Sequence, residues 1–466
     1  MLSRRTVIQS GLAAPAISAA AARQPNIVVL VADDLSRSTL GCYGDTVVKT
    51  PNLDRLAGQG MRFERAYVTS PQCSPSRSSV FTGRTPHATG MSRLHAPLRE
   101  DVPNVVARLQ ARGYFCGAYR KHHMGEDFER RLDFYGSAQE KLETFFDRQP
   151  KSKPFFLWMG FTDPHRPYRQ GMIDNPHDPA KMRIPAFLPD TQVVREDLAL
   201  HYDAITRLDA DCGRVLDLLE KRGLTDNTLV VFFGDNGMPF PRAKASLYQP
   251  GVNVPLLVKW PGHVRPGTVS QELVSMVDLP ATWLDVAGAE KIPRAEGRSL
   301  TGLLEGAPHE PRRYVFTERN WHDTWEPTRG IVSERYSLIA NFRPEVPYRG
   351  TLDHIWASWS RGGGPSWDEI VKERKAGRLK PELEHLFRKP RPLFELYDLQ
   401  NDPNEFRNLA GSQEAASALE ELQKALTAWM EETNDFLPPV WRNFMSNAGP
   451  PPGLERLLNG YLPLGD

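Results

Sequence analysis

The sequence lacks several features that define specialised protein classes. Lys plus Arg number 58 against 57 Asp plus Glu, so the net charge of +1 argues against a nucleic-acid partner or a polybasic membrane surface. The 466 residues include four cysteines and no C-x-x-C pair, which argues against a zinc knuckle or a dense disulfide framework. The sequence does not decide whether any of Cys42, Cys116 and Cys212 form disulfides. No repeat occurs, and no run reaches transmembrane length, so stable membrane insertion is not expected.

Residues 1–23 have the pattern of an export signal. Arg4 and Arg5 precede a weakly apolar, Ala-rich stretch over residues 11–22, which ends in small side chains. Paired arginines before such a stretch indicate a twin-arginine signal peptide, although a disordered tail is the competing interpretation. We expect a periplasmic or secreted protein whose mature chain begins near Pro25.

Apolar, β-branched runs alternate with helical patterns over residues 24–305. Strands buried on both faces are predicted at 26–32, 114–119, 155–161 and 229–233. Helices are predicted at 51–58, 102–112 and 192–222. This alternation predicts an α/β sandwich with a mostly parallel central sheet, which would form the catalytic domain.

The pattern changes beyond residue 305. Short strands are predicted at 314–316, 330–332, 336–341 and 395–399, followed by an amphipathic helix at 415–430. We interpret residues 306–440 as a smaller C-terminal α+β domain and residues 441–466 as a Pro/Gly-rich tail.

Two predicted strands end in polar side chains. Asp33 and Asp34 follow the first strand, and Asp235 and Asn236 follow the strand at 229–233. Because ligands gather at the carboxyl ends of parallel strands, these groups would share one crevice and repel one another without a cation. Oxygen ligands suit Ca²⁺ or Mg²⁺ rather than zinc. Either pair alone is more often part of a turn or helix cap than of a metal site.

The most specific motif is Cys73-Ser74-Pro75-Ser76-Arg77, which Thr82-Gly83-Arg84 follows. It resembles the C-x-P-x-R signature of the type I sulfatases, whose fold is alkaline-phosphatase-like. The resemblance implies that a formylglycine-generating enzyme oxidises Cys73 to formylglycine, and that Arg77 stabilises its hydrate. It also implies one divalent cation, Ca²⁺ with Mg²⁺ as the alternative, held by Asp33, Asp34, Asp235, Asn236 and residue 73. A buried structural cysteine is the competing interpretation.

Further segments follow the sulfatase pattern in order. Residues 120–125 resemble G-K-x-H-x-G, with Arg120 in place of the glycine, which implies that Lys121 clamps the sulfate and His123 removes the diol proton. Residues 164–167 resemble P-H-x-P, which implies that His165 contacts sulfate and protonates the leaving group. Lys244, in a K-x-x-x-Y segment, would be a second cation at the leaving group. Each histidine alone is more often a structural residue, and only their joint order around Cys73 favours the catalytic interpretation. The sequence leaves open whether Arg166 contacts substrate or has a structural role.

Within the family the chain resembles the heparan N-sulfatases, or sulfamidases. The segments that carry this resemblance are residues 89–95, 121–123, 163–166, 235–241 and 429–435. It implies hydrolysis of a sulfate ester or sulfamate on a sulfated amino sugar, through a formylglycine sulfate intermediate. Human-type sulfamidases carry arginine where Lys244 stands, so the choice between N-sulfate and O-sulfate stays open.

Three other functions are compatible with these residues. An O-sulfatase acting on a sugar or aryl sulfate would keep the same machinery. A phosphate or phosphonate monoester hydrolase would share the fold and the metal. An inactive glycan-binding protein would have lost Cys73, Arg77 or an acidic ligand, and none of these is lost. The sequence does not fix the subunit count, and a homodimer is among the open states.

Overall fold

The structure, a computed structural model, describes residues 24–322, 325–346, 348 and 365–435. The predicted signal at 1–23, the tail at 441–466 and the end of the predicted C-terminal domain lie outside the described residues. Within the described part, no helix combines the length and apolar character needed to cross a membrane.

An eight-stranded sheet forms the centre of the larger part of the molecule. In chain order, the first ten strands are β1 Asn26–Ala32, β2 Met61–Phe63, β3 Ala66–Tyr67, β4 Phe115–Arg120, β5 Phe134–Gly136, β6 Phe155–Gly160, β7 Thr228–Gly234, β8 Leu256–Lys259, β9 Thr268–Ser270 and β10 Val274–Ser275. The sheet has the order β5-β4-β6-β1-β7-β8-β2-β9, while β3 and β10 pair separately. Strands β5, β4, β6, β1 and β7 run parallel, and β8 is antiparallel to both its neighbours. The predicted α/β class is confirmed.

Strand β1 lies inside the parallel part, between β6 and β7, and every one of its residues is buried. It pairs with β6 on one side and β7 on the other, in a register that places Ala32 beside Gly234. Strands covered on both faces tolerate continuous apolar runs, which is the pattern that predicted them. The ends of β1 and β7 are therefore level at one edge of the sheet.

Helices and short turns cover this sheet. The α-helices of this part are α1 Pro51–Gly58, α2 Cys73–Thr82, α3 Pro86–Thr89, α4 Val105–Ala111, α5 Glu126–Glu129, α6 Glu143–Arg148, α7 Gln192–Lys221, α8 Gln249–Val252, α9 Asp278–Ala287 and α10 Thr301–Glu305. Helices α1 and α7 have the predicted bounds to within a residue. Helix α4 starts later than predicted because the side chain of Asn104 accepts a hydrogen bond from the backbone N–H of Ala107 at 3.1 Å and caps it there.

A four-stranded antiparallel sheet forms the second part. Its strands are β11 Val315–Trp321, β12 Trp325–Val332, β13 Tyr336–Asn341 and β14 Phe394–Asp398, in that order, and its α-helices are α11 Ser366–Lys375 and α12 Ala416–Glu432. Leu422, Leu426 and Trp429 of α12 belong to the apolar cluster of this sheet. Single turns of 3-10 helix occur at Arg37–Thr39, Gly41–Tyr43, Pro179–Lys181, Thr225–Asn227 and Gln413–Ala415, with a longer one at Pro381–Phe387. The prediction of an α+β arrangement here is confirmed.

Strand β11 is longer than predicted because its second half is polar yet buried against the first part of the molecule. The backbone N–H of Glu318 donates to the carbonyl of Thr69 at 2.7 Å, and that of Leu94 donates to the carbonyl of Trp321 at 3.0 Å. Thr69 directly precedes the segment that leads into α2. The second sheet therefore supports the loops that surround the sulfatase motif.

Candidate active site

The acidic side chains at the ends of β1 and β7 meet in one buried cluster. Asp34 donates its backbone N–H to Oδ1 of Asp235 at 3.1 Å, and Asn236 Nδ2 donates to Oδ1 of Asp34 at 2.8 Å. Asp33, Asp34, Asp235 and Asn236 are each no more than 1% exposed. Asp34 has a φ of 70°, a left-handed conformation that an aspartate rarely adopts and that turns the chain sharply after β1.

Cys73 is the first residue of α2, and its side chain points into this acidic cluster. Its Sγ lies 3.3 Å from Oδ1 of Asp33 and 3.8 Å from Oδ1 of Asp34. Burial raises the pKa of the Cys73 thiol well above its ordinary value, although Lys121 and Lys244 oppose the shift. Burial therefore disfavours the thiolate of an unmodified Cys73, which is the reactive form of cysteine.

Three cationic side chains neutralise the carboxylates. Arg77 donates Nε to Oδ2 of Asp235 at 2.7 Å and also donates to the carbonyl of Lys121. The ammonium of Lys121 pairs with Oδ2 of Asp33, and Lys244 Nζ donates to Oδ2 of Asp34 at 2.8 Å. Burial alone would raise the pKa of Asp33, but Lys121 and the other cations hold it well below its ordinary value.

The oxygen donors of this cluster, from Asp33, Asp34 and Asn236, are of the kind that a hard cation prefers. Ligand atoms of Asp33, Asp34, Cys73 and His165 all lie within 4.8 Å of one another. Asn236 Oδ1 is buried and has no hydrogen-bond partner in the described structure, although Nδ2 of the same amide has two. An unsatisfied buried carbonyl among carboxylates is costly unless an ion or water completes it, so this oxygen is placed as a metal ligand would be.

The two predicted histidines both lie near the acidic cluster, but they contact different side chains. His165 Nε2 lies 3.7 Å from Oδ2 of Asp34, and the side chain is 31% exposed. His123 is half-buried, and its Nε2 shares a hydrogen bond of 2.7 Å with Nδ1 of His95. His95 is held by a hydrogen bond of 2.8 Å from its backbone N–H to Ser74 Oγ, beside residue 73.

The contact of His95 with His123 was not predicted, since the two residues are 28 positions apart and no spacing rule connects them. The structure brings every predicted site residue together, namely Asp33, Asp34, Cys73, Arg77, Lys121, His165, Asp235, Asn236 and Lys244, with His123 in the adjoining position.

Two arginines near the site have structural partners. Arg120 has a φ of 58°, which explains why the family pattern places glycine there, and its guanidinium pairs with Asp211 at 2.9 Å. Arg166, which the sequence left open, is buried and forms a two-pronged ion pair with Asp197 at 2.6 and 2.7 Å. Arg166 therefore supports the loop after β6 rather than presenting a free cation.

A second buried acidic cluster joins the two parts of the molecule. His87 on α3 donates its backbone N–H to Glu318 of β11 at 2.9 Å, and its ring pairs with the same carboxylate. Asp435 lies beside them and forms a two-pronged ion pair with Arg329. Because an arginine already neutralises Asp435, this cluster is explained as an interdomain ion-pair network rather than a metal site.

A cavity of about 330 Å³ opens over the site. Asp33, Lys121 and His165 are among the residues that line it, and the loop after β6 forms much of its wall. Its volume falls in the range of pockets that bind small organic molecules.

A buried acidic cluster that could hold a cation, with lysine and arginine side chains beside it, is an arrangement found in hydrolases, and comparison with known proteins identifies the family. The sulfatase family model matches residues 25–130 and 133–289, so the chain belongs to the sulfatase family and is a sulfuric ester hydrolase. A second model, described as "N-sulphoglucosamine sulphohydrolase, C-terminal", matches residues 242–348.

Individual relatives agree with this assignment. Human N-sulphoglucosamine sulphohydrolase is 31% identical over 471 residues, which cover 89% of this chain and 91% of that protein. A structure described as a complex with D-glucosamine-2-N,6-O-disulfate superposes with a TM-score of 0.68 at 19% identity, covering 89% of this chain and 99% of that one. The phosphonate monoester hydrolase of Agrobacterium radiobacter has a TM-score of 0.67 at 17% identity, with 88% and 96% covered. At such low identities the two structures show the shared fold alone, and the family assignment confirms the resemblance found in the sequence.

Proposed function

We propose that this protein removes a sulfate group from a sulfated amino sugar, as a sulfate ester or a sulfamate, after Cys73 is converted to formylglycine. The observation that carries the proposal is the position of Cys73 Sγ, 3.3 Å from Asp33 and 3.8 Å from Asp34, at the N-terminal end of α2. An ordinary nucleophilic thiol fits this place poorly, because burial keeps it protonated. A hydrated aldehyde there supplies one hydroxyl that takes the sulfuryl group and a second whose deprotonation releases it.

The surrounding side chains take the following roles in this proposal. Lys121 and Lys244 bind sulfate oxygens and stabilise the leaving oxygen or nitrogen, because both are cations with ammonium groups in the cluster. Arg77 orients residue 73 and the carboxylate of Asp235. His123 accepts the proton from residue 73, and His165 donates one to the leaving group.

We propose Ca²⁺ as the cation, with Mg²⁺ as the alternative. Asp33, Asp34, Asp235, Asn236 and residue 73 would hold it, and it would polarise an oxygen of the sulfate. The buried Oδ1 of Asn236, an amide oxygen without a hydrogen-bond partner in the described structure, supports a ligand at this point.

A substrate comparison tests the reaction. The matured enzyme should release sulfate from N-sulfoglucosamine or a mono-O-sulfated glucosamine faster than it cleaves p-nitrophenyl sulfate, and far faster than a phenyl phosphonate. The match to the N-sulphoglucosamine sulphohydrolase C-terminal model favours the amino sugar. Preferred cleavage of the phosphonate would replace this proposal with the phosphonate hydrolase alternative, and binding of the sugars without turnover would favour the glycan-binding one.

A maturation experiment tests the role of Cys73. Expression with a formylglycine-generating enzyme should yield the aldehyde in the peptide that contains residue 73, as read by mass spectrometry, together with activity. Cys73→Ala should abolish activity, whereas Cys212→Ala, a matched change of a buried cysteine in α7, should keep it. Full activity in protein that carries only unmodified Cys73 would contradict the mechanism.

Localisation and domain limits are part of the same proposal. We expect residues 1–23 to direct export through the twin-arginine route, which a reporter fused after residue 23 tests, with Arg4→Lys plus Arg5→Lys as the blocked control. We place the catalytic domain at 24–305 and the C-terminal α+β domain at 306–440.

A further inference from the structure

The lining of the cavity over the site includes more than the groups that would hold sulfate. Asp33, Lys121 and His165 belong to the site already described, whereas Arg169 and Met172 come from further along the loop after β6. A volume of about 330 Å³ leaves room for more than one tetrahedral anion. The cavity can therefore also take a further part of a substrate.

One cation in this wall differs from the others. Four cationic side chains line the cavity, and three of them already pair with a carboxylate: Lys121 with Asp33, Arg166 with Asp197, and Arg207 with Asp163. Arg169 is exposed and has no hydrogen bond or ion pair to any described residue. Within the described residues, none of its N–H donors is used, and the fork of N–H groups matches a sulfate or carboxylate.

An apolar side chain lies in the same wall. Met172 is 44% exposed and is one of four large apolar side chains in the described structure with such exposure. Single exposed apolar side chains are common on proteins, but this one lines a cavity. A flexible thioether there can pack on the C–H face of a sugar ring while the arginine binds its charged substituent.

From these observations we infer that the substrate carries a second anionic group, a sulfate or a carboxylate, which Arg169 binds while the first sulfate lies at residue 73. The inference rests on the proposed function and adds the charge pattern of its substrate. It makes Arg169 a specificity-determining residue, because its contact is available only to doubly anionic sugars.

Kinetics of Arg169→Ala in the matured enzyme test the inference. The substrates are N-sulfoglucosamine, the same sugar with an added 6-O-sulfate, a disaccharide of N-sulfoglucosamine with a uronic acid, and p-nitrophenyl sulfate. The variant should lose about tenfold in kcat/KM on whichever doubly anionic sugar fits, equal to ~1.4 kcal/mol, and less than about twofold on the singly charged substrates. Added salt should weaken the wild-type preference in the same direction.

Controls separate binding from folding. Arg265→Ala removes an exposed arginine outside the cavity and should change none of the ratios. Arg169→Lys should keep part of the preference, since it keeps the charge but not the two-pronged geometry. The sulfate and uronic acid substrates show which anion the site takes.

Several outcomes would overturn the inference. One is a wild-type enzyme that hydrolyses singly and doubly anionic sugars equally well. Another is an Arg169→Ala variant that loses the same factor on all substrates, which would indicate a structural role for the loop. A matured wild-type enzyme that releases sulfate from none of these substrates would refute the proposed function itself. That result depends on the wild-type enzyme alone and not on the Arg169 variants.

Discussion

Replacing Asn236 with alanine tests the cation site without changing any charge. The side chain is fully buried, its Nδ2 donates to Asp34 at 2.8 Å and to the carbonyl of Gly237 at 2.9 Å, and its Oδ1 has no partner in the described structure. If that oxygen binds the metal, the variant should bind Ca²⁺ about 10- to 100-fold more weakly. At a fixed saturating calcium concentration, this removes ~1.4–2.7 kcal/mol of metal-dependent stabilisation.

Thermal unfolding over a calcium titration, starting from chelated protein, measures this loss. The Tm of the variant without metal measures the effect of losing the two hydrogen bonds of Asn236. Only the increase in Tm with calcium measures the contribution of Asn236 as a metal ligand. Asn253→Ala is the matched control, because Asn253 is buried and its Oδ1 also lacks a partner in the described structure, but it lies outside the acidic cluster. The control should keep the full rise. The reasoning would be refuted if the wild-type Tm did not change with calcium, or if the Asn236→Ala variant showed the same increase in Tm as the wild type.

Three further predictions concern proton transfer and stability. His95→Ala should lower kcat about tenfold with little change in KM, because His123 loses the hydrogen bond of 2.7 Å that orients its ring. His95→Gln should recover part of the rate, and an unchanged kcat in both variants would contradict this role of His95. Asp435→Asn should lower the free energy of unfolding by ~3 kcal/mol in urea titrations, because it leaves the buried charge of Arg329 without its partner, and an effect near zero would contradict the pairing. Burial lowers the pKa of His201 from its ordinary value to about 3, so the unfolded chain binds a proton on this histidine at a higher pH than the folded protein does. The stabilising contribution of neutral His201 is therefore complete above pH 6.5 and is lost as the pH falls toward 3. His201→Gln should flatten this part of the profile of Tm against pH, and a variant profile identical to that of the wild type would contradict the prediction.

The fold was largely readable from local patterns. Continuous apolar runs at 26–32 and 229–233 indicated strands buried on both faces, and the structure places them side by side. Strand β11 was predicted too short, because residues 317–320 are polar and their burial depends on contacts with Thr69 and His87. Polarity predicts exposure only where no distant partner is available, and sequence spacing does not reveal such partners.

The amino-acid sequence by itself determined which reactive side chains are available at the site, because they lie in short motifs. These motifs are Cys73 with Arg77, and the acidic pairs at the ends of β1 and β7. Tertiary packing alone decided which further groups join them. The path of the loops between elements decides that His95 contacts His123 and that Arg166 pairs with Asp197. It also leaves Arg169 at the cavity without a partner among the described residues. Local spacing sets which side chains share a strand end or a helix turn, whereas partners from distant segments are chosen by the packing of the whole chain.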